Sequence, residues 1–176
     1  MREIHVSEPE IKPIPLFQKT WGALTAGNDT DGWNSMAIAW GSIGALWERG
    51  TRDRIVPVCN VYVRPTRFTF HLLDQNEMFT VSFMDESYRK SMAMLGTKSV
   101  ADDPDKIKNA GLSLVHDGAA AYMEDSDLVL ICRKIYHQPL DEKYMLDRGL
   151  IEYNYSRGTD NFHEMFVGEI VKVLVK

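Results

Sequence analysis

The sequence predicts a mainly β protein, an antiparallel barrel or sandwich with short helices inserted between its strands. Three observations carry that prediction. Apolar or alternating runs fall near residues 20–26, 35–42, 55–63, 78–84, 120–124, 127–136 and 165–175, and they outnumber the helical patterns. The strand–helix–strand alternation that builds a parallel sheet is absent. The helical patterns that do occur are short and bounded by capping residues.

Taken in order, the first fifteen residues, with Pro9, Pro13 and Pro15, read as an extended arm. The division expected is an arm over residues 1–14 and one domain over 15–176. Pro57 suits the start or edge of its strand, because proline has no N–H to donate to a ladder. "FTFHLLDQ" (68–75) is too short and too apolar to separate helix from strand. "SYRKSMAML" places Tyr88, Met92 and Leu95 on one helical face, with Gly96 as a stop. "DDPDKIKNAG" offers Asp103 as cap, Pro104 at the first helical position and Gly111 at the end. "DEKYMLDRG" has the same form, with Asp141 as cap and Gly149 beyond the last turn.

Composition narrows the function classes. With 176 residues, 44% apolar and 26% charged, the chain reads as one globular domain. A formal charge of −5 argues against a general nucleic-acid binder. A few local Arg or Lys side chains can still hold a small anion. Cys59 and Cys132 lie in apolar runs and are expected to be reduced and buried, which points to the cytoplasm as the compartment. The polar start "MREIHVSEPE" is unlike a secretory signal, and no 18-residue apolar run is long enough for a bilayer, so no membrane partner is expected. There is no G-x-G-x-x-G after a strand, no Walker loop and no G-x-S-x-G elbow. The five histidines are dispersed without a metal-binding motif, and no metal is expected.

Four places carry candidate chemistry, each beside a plainer reading. In "VYVRPTRFTF" (61–70), Arg64, Thr66, Arg67 and Thr69 crowd the end of an apolar strand. They suit a phosphate held by charge-assisted bonds, or simply a solvated turn. Lys106 near a helix start opposes the helix dipole, which a neighbouring carboxylate or a bound phosphate would explain. Asn34 and Ser35 follow Gly32 in an expected turn and could reach polar atoms of a ligand, whereas Met36, Ile38, Trp40 and Trp47 suit a core or an interface. His163 stands at the start of the final strand as a surface histidine or as a polar group over a pocket.

In this order and spacing, "WNSMAIAWG", "VYVRPTRFT", "EMFTVSF", "GTKSVADDPDK" and "HEMFVGEIVKV" resemble the flavin reductase-like family. These are FMN-binding split barrels that include flavoredoxins and the reductase components of two-component monooxygenases. The resemblance spans residues 15–175 and implies a six-stranded antiparallel, Greek-key split barrel, a homodimer with FMN near the subunit interface. It implies that Asn34, Ser35, Met36 and Ala37 lie along the flavin and its ribityl chain. Arg64, Arg67, Thr69 and Lys106 would lie near the phosphate, and His163 would be the catalytic residue beside the flavin or the nicotinamide. Val100 departs from the pattern, standing where many members have glycine, and Trp40 and Trp47 bring bulky rings close to the implied pocket. The function implied is hydride transfer from NADH or NADPH to flavin N5, serving a monooxygenase or redox-protein partner. The alternatives are a flavoredoxin-like electron carrier and a non-catalytic protein that binds another ligand, such as haem, on the same barrel.

Overall fold

The computed structural model describes residues 1–50, 55–156 and 162–176. In chain order, its strands are β1 (Arg2–Ile4), β2 (Gly22–Asn28), β3 (Gly32–Ile38), β4 (Gly41–Glu48), β5 (Ile55–Val63), β6 (Met78–Phe83), β7 (Leu114–Asp117), β8 (Ala120–Met123), β9 (Leu128–Pro139) and β10 (Glu164–Val175). Its α-helices are α1 (Pro13–Pro15), α2 (Phe68–Gln75), α3 (Arg89–Thr97), α4 (Lys106–Asn109) and α5 (Arg148–Tyr155), and a π turn over Leu16–Thr20 follows α1.

The main sheet is antiparallel in the order β3-β2-β6-β9-β10-β5-β4. Apart from β1, which adds to β10, the path has seven strands where six were expected; the extra one comes from the run after β3. The apolar run near 35–42 reads as one strand, but the chain leaves β3 after Ile38 and begins β4 at Gly41. That step passes over Phe17, whose ring would lie 2.3 Å from a Cβ at Gly41, so only glycine fits.

β10 organises the sheet. It pairs with β9 from Glu164 to Val175, with β5 along its first half (Glu164↔Val63 to Glu169↔Val58) and with β1 at its end (Arg2↔Val175). The arm therefore supplies a short strand. Pro57 lies before the β5–β10 pairing begins and opposes only Ala45 of β4, so its missing N–H costs no ladder bond to β10. The interior of the sheet holds Leu24, Val61, Val63, Phe79, Phe83, Leu130 and Phe166, together with both free cysteines. Alternation of side chains across each strand places them there.

On the other side of β2 and β6, α3, α4 and the β7–β8 hairpin cover Ala23, Met92, Leu95 and Met123. A row of buried hydroxyls joins these layers. Ser35 bonds Thr25 at 2.7 Å, Thr80 donates to the Ala121 carbonyl, and Ser82 accepts from the Met123 amide. Each satisfies a polar group that would otherwise be stranded in the core.

The helix expectations need three corrections. α3 runs through Gly96 to Thr97, because Gly96 keeps an ordinary helical φ and its bare Cα lies against Ala37, while the stop comes at the extended Lys98. The helix expected after Asp103 shrinks to the single turn of α4, with Gly111 (φ 73°) turning the chain out as expected. The helix expected from Asp141 is a 3-10 turn over Glu142–Tyr144; the chain then extends at Met145 and Asp147 caps α5 anew, accepting from Gly149 inside the helix. Two cap residues six positions apart divide one expected helix into two elements.

Candidate functional site

β3 is an edge strand, paired on one side only. A cavity of about 230 Å³ lies beside it, lined by Asn34, Met36, Thr66, Arg67, Phe68, Thr69, Lys98, Ser99, Asp102 and Lys106 among others. A second, of about 220 Å³, continues past residues 36–40 to Tyr62, Arg64 and His163. Met36, Arg67 and Gly96 line both, so the two form one groove. The unpaired peptide edge of β3 gives that groove N–H and C=O groups for a flat polar ring.

The first cavity gathers positive charge. α2 starts there without a capping side chain, because Arg67 occupies the cap position with extended backbone. The first amides of a helix have no partner within it, and together with the dipole they favour negative charge. The Arg67 guanidinium makes no hydrogen bond or ion pair among the described residues. Lys106 lies opposite, only 2% exposed, with its Nζ donating to the Lys98 carbonyl at 3.1 Å. Burial pushes this ammonium down to about 8, partly opposed by Asp103. Asn34, also 2% exposed, donates to Thr69 Oγ1 at 2.7 Å, while its own Oδ1 meets no partner. A buried acceptor left over in this way is suited to a ligand hydroxyl.

The second cavity is flatter and more apolar. His163 lies under Trp40, with ring centroids 4.3 Å apart and planes at 33°. The phenol of Tyr155 is 2.9 Å from His163 Nδ1. Arg64 donates to the Asn154 carbonyl at 2.8 Å and lies over the Tyr155 ring.

The structure therefore gathers Asn34, Met36, Ala37, Arg64, Arg67, Thr69, Lys106 and His163 along one groove. Arg64 stands on the His163 side and not in the first cavity. Ser35 does not line the groove. Residues 34–37 form a strand and not a turn, so neighbouring side chains point to opposite faces, and Ser35 joins the hydroxyl row. Trp40 and Trp47 are exposed and outside the core, Trp47 resting on Tyr136. Val100 needs no glycine, since its φ is not positive. Sequence reasoning missed the uncapped start of α2, Thr97 to Ser99 and Tyr155. The bare cap position could be seen only once "FTFHLLDQ" was known to be helical.

Lys106 makes a testable link between stability and binding. The folded protein gives up the lysine proton near pH 8, whereas an exposed lysine holds it to about 10.5. The unfolded chain thus binds more protons between those values, and this group makes stability rise with pH across that window. Below it, both states are charged and the full cost of burial remains. Lys106→Met is therefore expected to raise the Tm of the ligand-free protein at pH 7 and to remove the gain seen by urea unfolding between pH 8 and 10. A lower Tm at pH 7 would show that the lysine is a structural group.

Among the described residues, no cluster of three or more His, Cys, Asp or Glu side chains is placed to hold a metal, and no helix is long and apolar enough to cross a membrane. No protein-family model matches the chain, and no curated protein matches it by sequence. Solved structures do match. The chain superposes on flavoredoxin from Methanosarcina acetivorans with a TM-score of 0.64 at 16% identity, covering 100% of this chain and 76% of that one. It matches an FMN-binding domain of a flavin reductase-like enzyme from Shewanella baltica OS155 with a TM-score of 0.63 at 17% identity, covering 98% and 75%. It matches nitrilotriacetate monooxygenase component B from Bacillus cereus with a TM-score of 0.62 at 14% identity, covering 99% and 81%. The fold is the split barrel of these structures, as the resemblance implied.

Proposed function

We propose that this chain is an FMN-binding oxidoreductase of the flavin reductase-like group. The observation that carries the reading is the anion cavity, where the uncapped start of α2, Arg67 and buried Lys106 converge on a space the size of a phosphate and part of its chain. Split-barrel structures described as FMN-binding and as flavoredoxin support it. Arg67, Thr69, Lys106 and the α2 amides would hold the phosphate. Asn34 Oδ1 would accept from the ribityl chain, and the β3 edge with Ala37 would face the ring system.

When bound, FMN supplies two-electron chemistry at its ring, with NADH or NADPH as the proposed reductant. The protein's own part is to orient and shield. The β3 edge and Gly96 set the plane of the slot, while Trp40 keeps water from one face of His163. His163 would place a hydrogen-bond donor beside the reacting ring. No protein nucleophile is needed.

A second reading, an electron carrier, is favoured by the Trp40–His163 stack, which takes space that a nicotinamide would use. Rapid NAD(P)H oxidation with FMN would support the reductase; reduction only by a redox protein would support the carrier. In either role a monooxygenase or redox protein would be the partner. A homodimer is also proposed. Trp47, Leu46 and Tyr136 are exposed beside the Val56–Val58–Val167 cluster on the outer sheet face, which suits a second copy. Sedimentation as a monomer at micromolar concentration would refute that.

The first test is a fluorescence titration of flavin-free protein with FMN and riboflavin. Tight FMN binding with clearly weaker riboflavin binding supports the reading. Binding of neither flavin removes it.

A further inference from the structure

We propose that Tyr155 is the positioning residue for His163, its phenol donating to Nδ1 and so holding the imidazole in the Nε2–H tautomer. Neither residue carries a metal-binding or nucleophilic motif, and Tyr155 gave no sequence signal. The structure nevertheless fixes it from several sides. It ends α5, whose start is capped by Asp147. Phe162 stacks on its ring at 4.1 Å and 23°, and Arg64 lies 5.3 Å from its centroid while also bonding the Asn154 carbonyl. The phenol oxygen is 2.9 Å from His163 Nδ1.

The direction of that bond follows from the surroundings. Burial pushes the Tyr155 phenol above its ordinary range, against the lesser effects of a hydrogen bond from the His163 backbone and of Arg64. The hydroxyl therefore keeps its proton at neutral pH. A hydroxyl that keeps its proton 2.9 Å from an imidazole nitrogen has Nδ1 as its acceptor. A ring that accepts at Nδ1 carries its neutral-state proton on Nε2. The second cavity is then lined by an N–H donor, which steadies negative charge on a carbonyl or ring nitrogen; the other tautomer would repel it. The use of that donor rests on the flavin reading, whereas the tautomer does not.

The experiment uses flavin-free protein with ¹⁵N-labelled histidine. Long-range ¹H–¹⁵N spectra are recorded where the rings are neutral, with His163 assigned through His163→Gln. The parent is expected to show an unprotonated Nδ1 and a protonated Nε2, and Tyr155→Phe a mixture of tautomers. A protonated Nδ1 in the parent, or an unchanged tautomer in Tyr155→Phe, overturns the proposal. The parent spectrum decides alone if the variant does not fold. In protein that binds FMN, Tyr155→Phe is expected to keep FMN affinity within about threefold and to slow flavin reduction about tenfold or more. Lost affinity with unchanged reduction would place Tyr155 in the binding wall and overturn the positioning role. A parent that binds no flavin removes the cofactor reading and leaves the tautomer result standing.

Discussion

Arg67→Glu is expected to bind FMN about a hundredfold more weakly than the parent, while riboflavin affinity moves by less than about threefold. The parent guanidinium makes no hydrogen bond or ion pair among the described residues, so its removal breaks nothing in the ligand-free protein. With phosphate present, each charge-assisted bond contributes about 1.5–3 kcal/mol, and a carboxylate in its place adds repulsion. About 1.4 kcal/mol corresponds to a factor of ten, so two decades is a conservative expectation. Riboflavin lacks the phosphate and should be nearly indifferent. Titration of both flavins against both proteins checks this. Equal losses would mean that Arg67 faces the ring or supports the fold, and the phosphate assignment would fall.

The second large effect is on stability. A Cβ at Gly168 would lie 2.4 Å from Phe79 Cζ and 2.7 Å from Cys132 Cβ, both in the packed interior. Neither neighbour is the far end of a flexible chain at the surface, so β10 or the Phe79 ring must move. Overpacking of this kind costs about 1–3 kcal/mol. For a chain of this size, Gly168→Ala is expected to lower Tm by about 5–10 °C. Scanning calorimetry tests it, and pairing the change with Phe79→Leu should recover part of the loss. A Tm within about 1 °C of the parent would show that the core has slack that the packing does not reveal. The position also affects the groove, because the β10 register shifts between Val167 and Gly168, four residues from the start of that strand beside His163.

This glycine shows what the sequence could and could not reveal. "HEMFVGEIVKV" announced a strand by alternation, and β10 spans it from Glu164. The reason for its glycine lies in β6 and β9, far along the chain, and no local pattern contains it. The same division holds elsewhere. Apolar runs marked β5, β6 and β9 closely, because burial on the interior face imposes period two. The break between β3 and β4 escaped, since it depends on Phe17 beneath Gly41 and not on a turn residue. β7 escaped too, being short and part-buried. At the site, charge crowding in "VYVRPTRFTF" was legible, and Arg67 and Thr69 line the same cavity as Lys106. Ser35 was misplaced by reading a strand as a turn, and Tyr155 was invisible because its meaning comes only from the imidazole that folding brings to it.

The place of β10 in the sheet has a further consequence, for the order in which the groove is assembled. Among the described residues it is the last strand in sequence, yet it lies between β9 and β5, and the hydrogen-bonded path from β3 to β4 passes through it. A growing chain can pair β2 with β3 and β4 with β5 early, as local hairpins with little loop entropy to overcome. The first hairpin carries Asn34 and Met36 of the groove, and the second carries Arg64 and leads straight into Arg67 and Thr69. The two hairpins share a sheet only after residues 164–175 have threaded between them, a long-range step whose loop-closure cost comes before its contacts are made. Completion of the groove thus waits on residues 164–175, and a chain cut short before them can hold much of its secondary structure while the two hairpins are still unjoined.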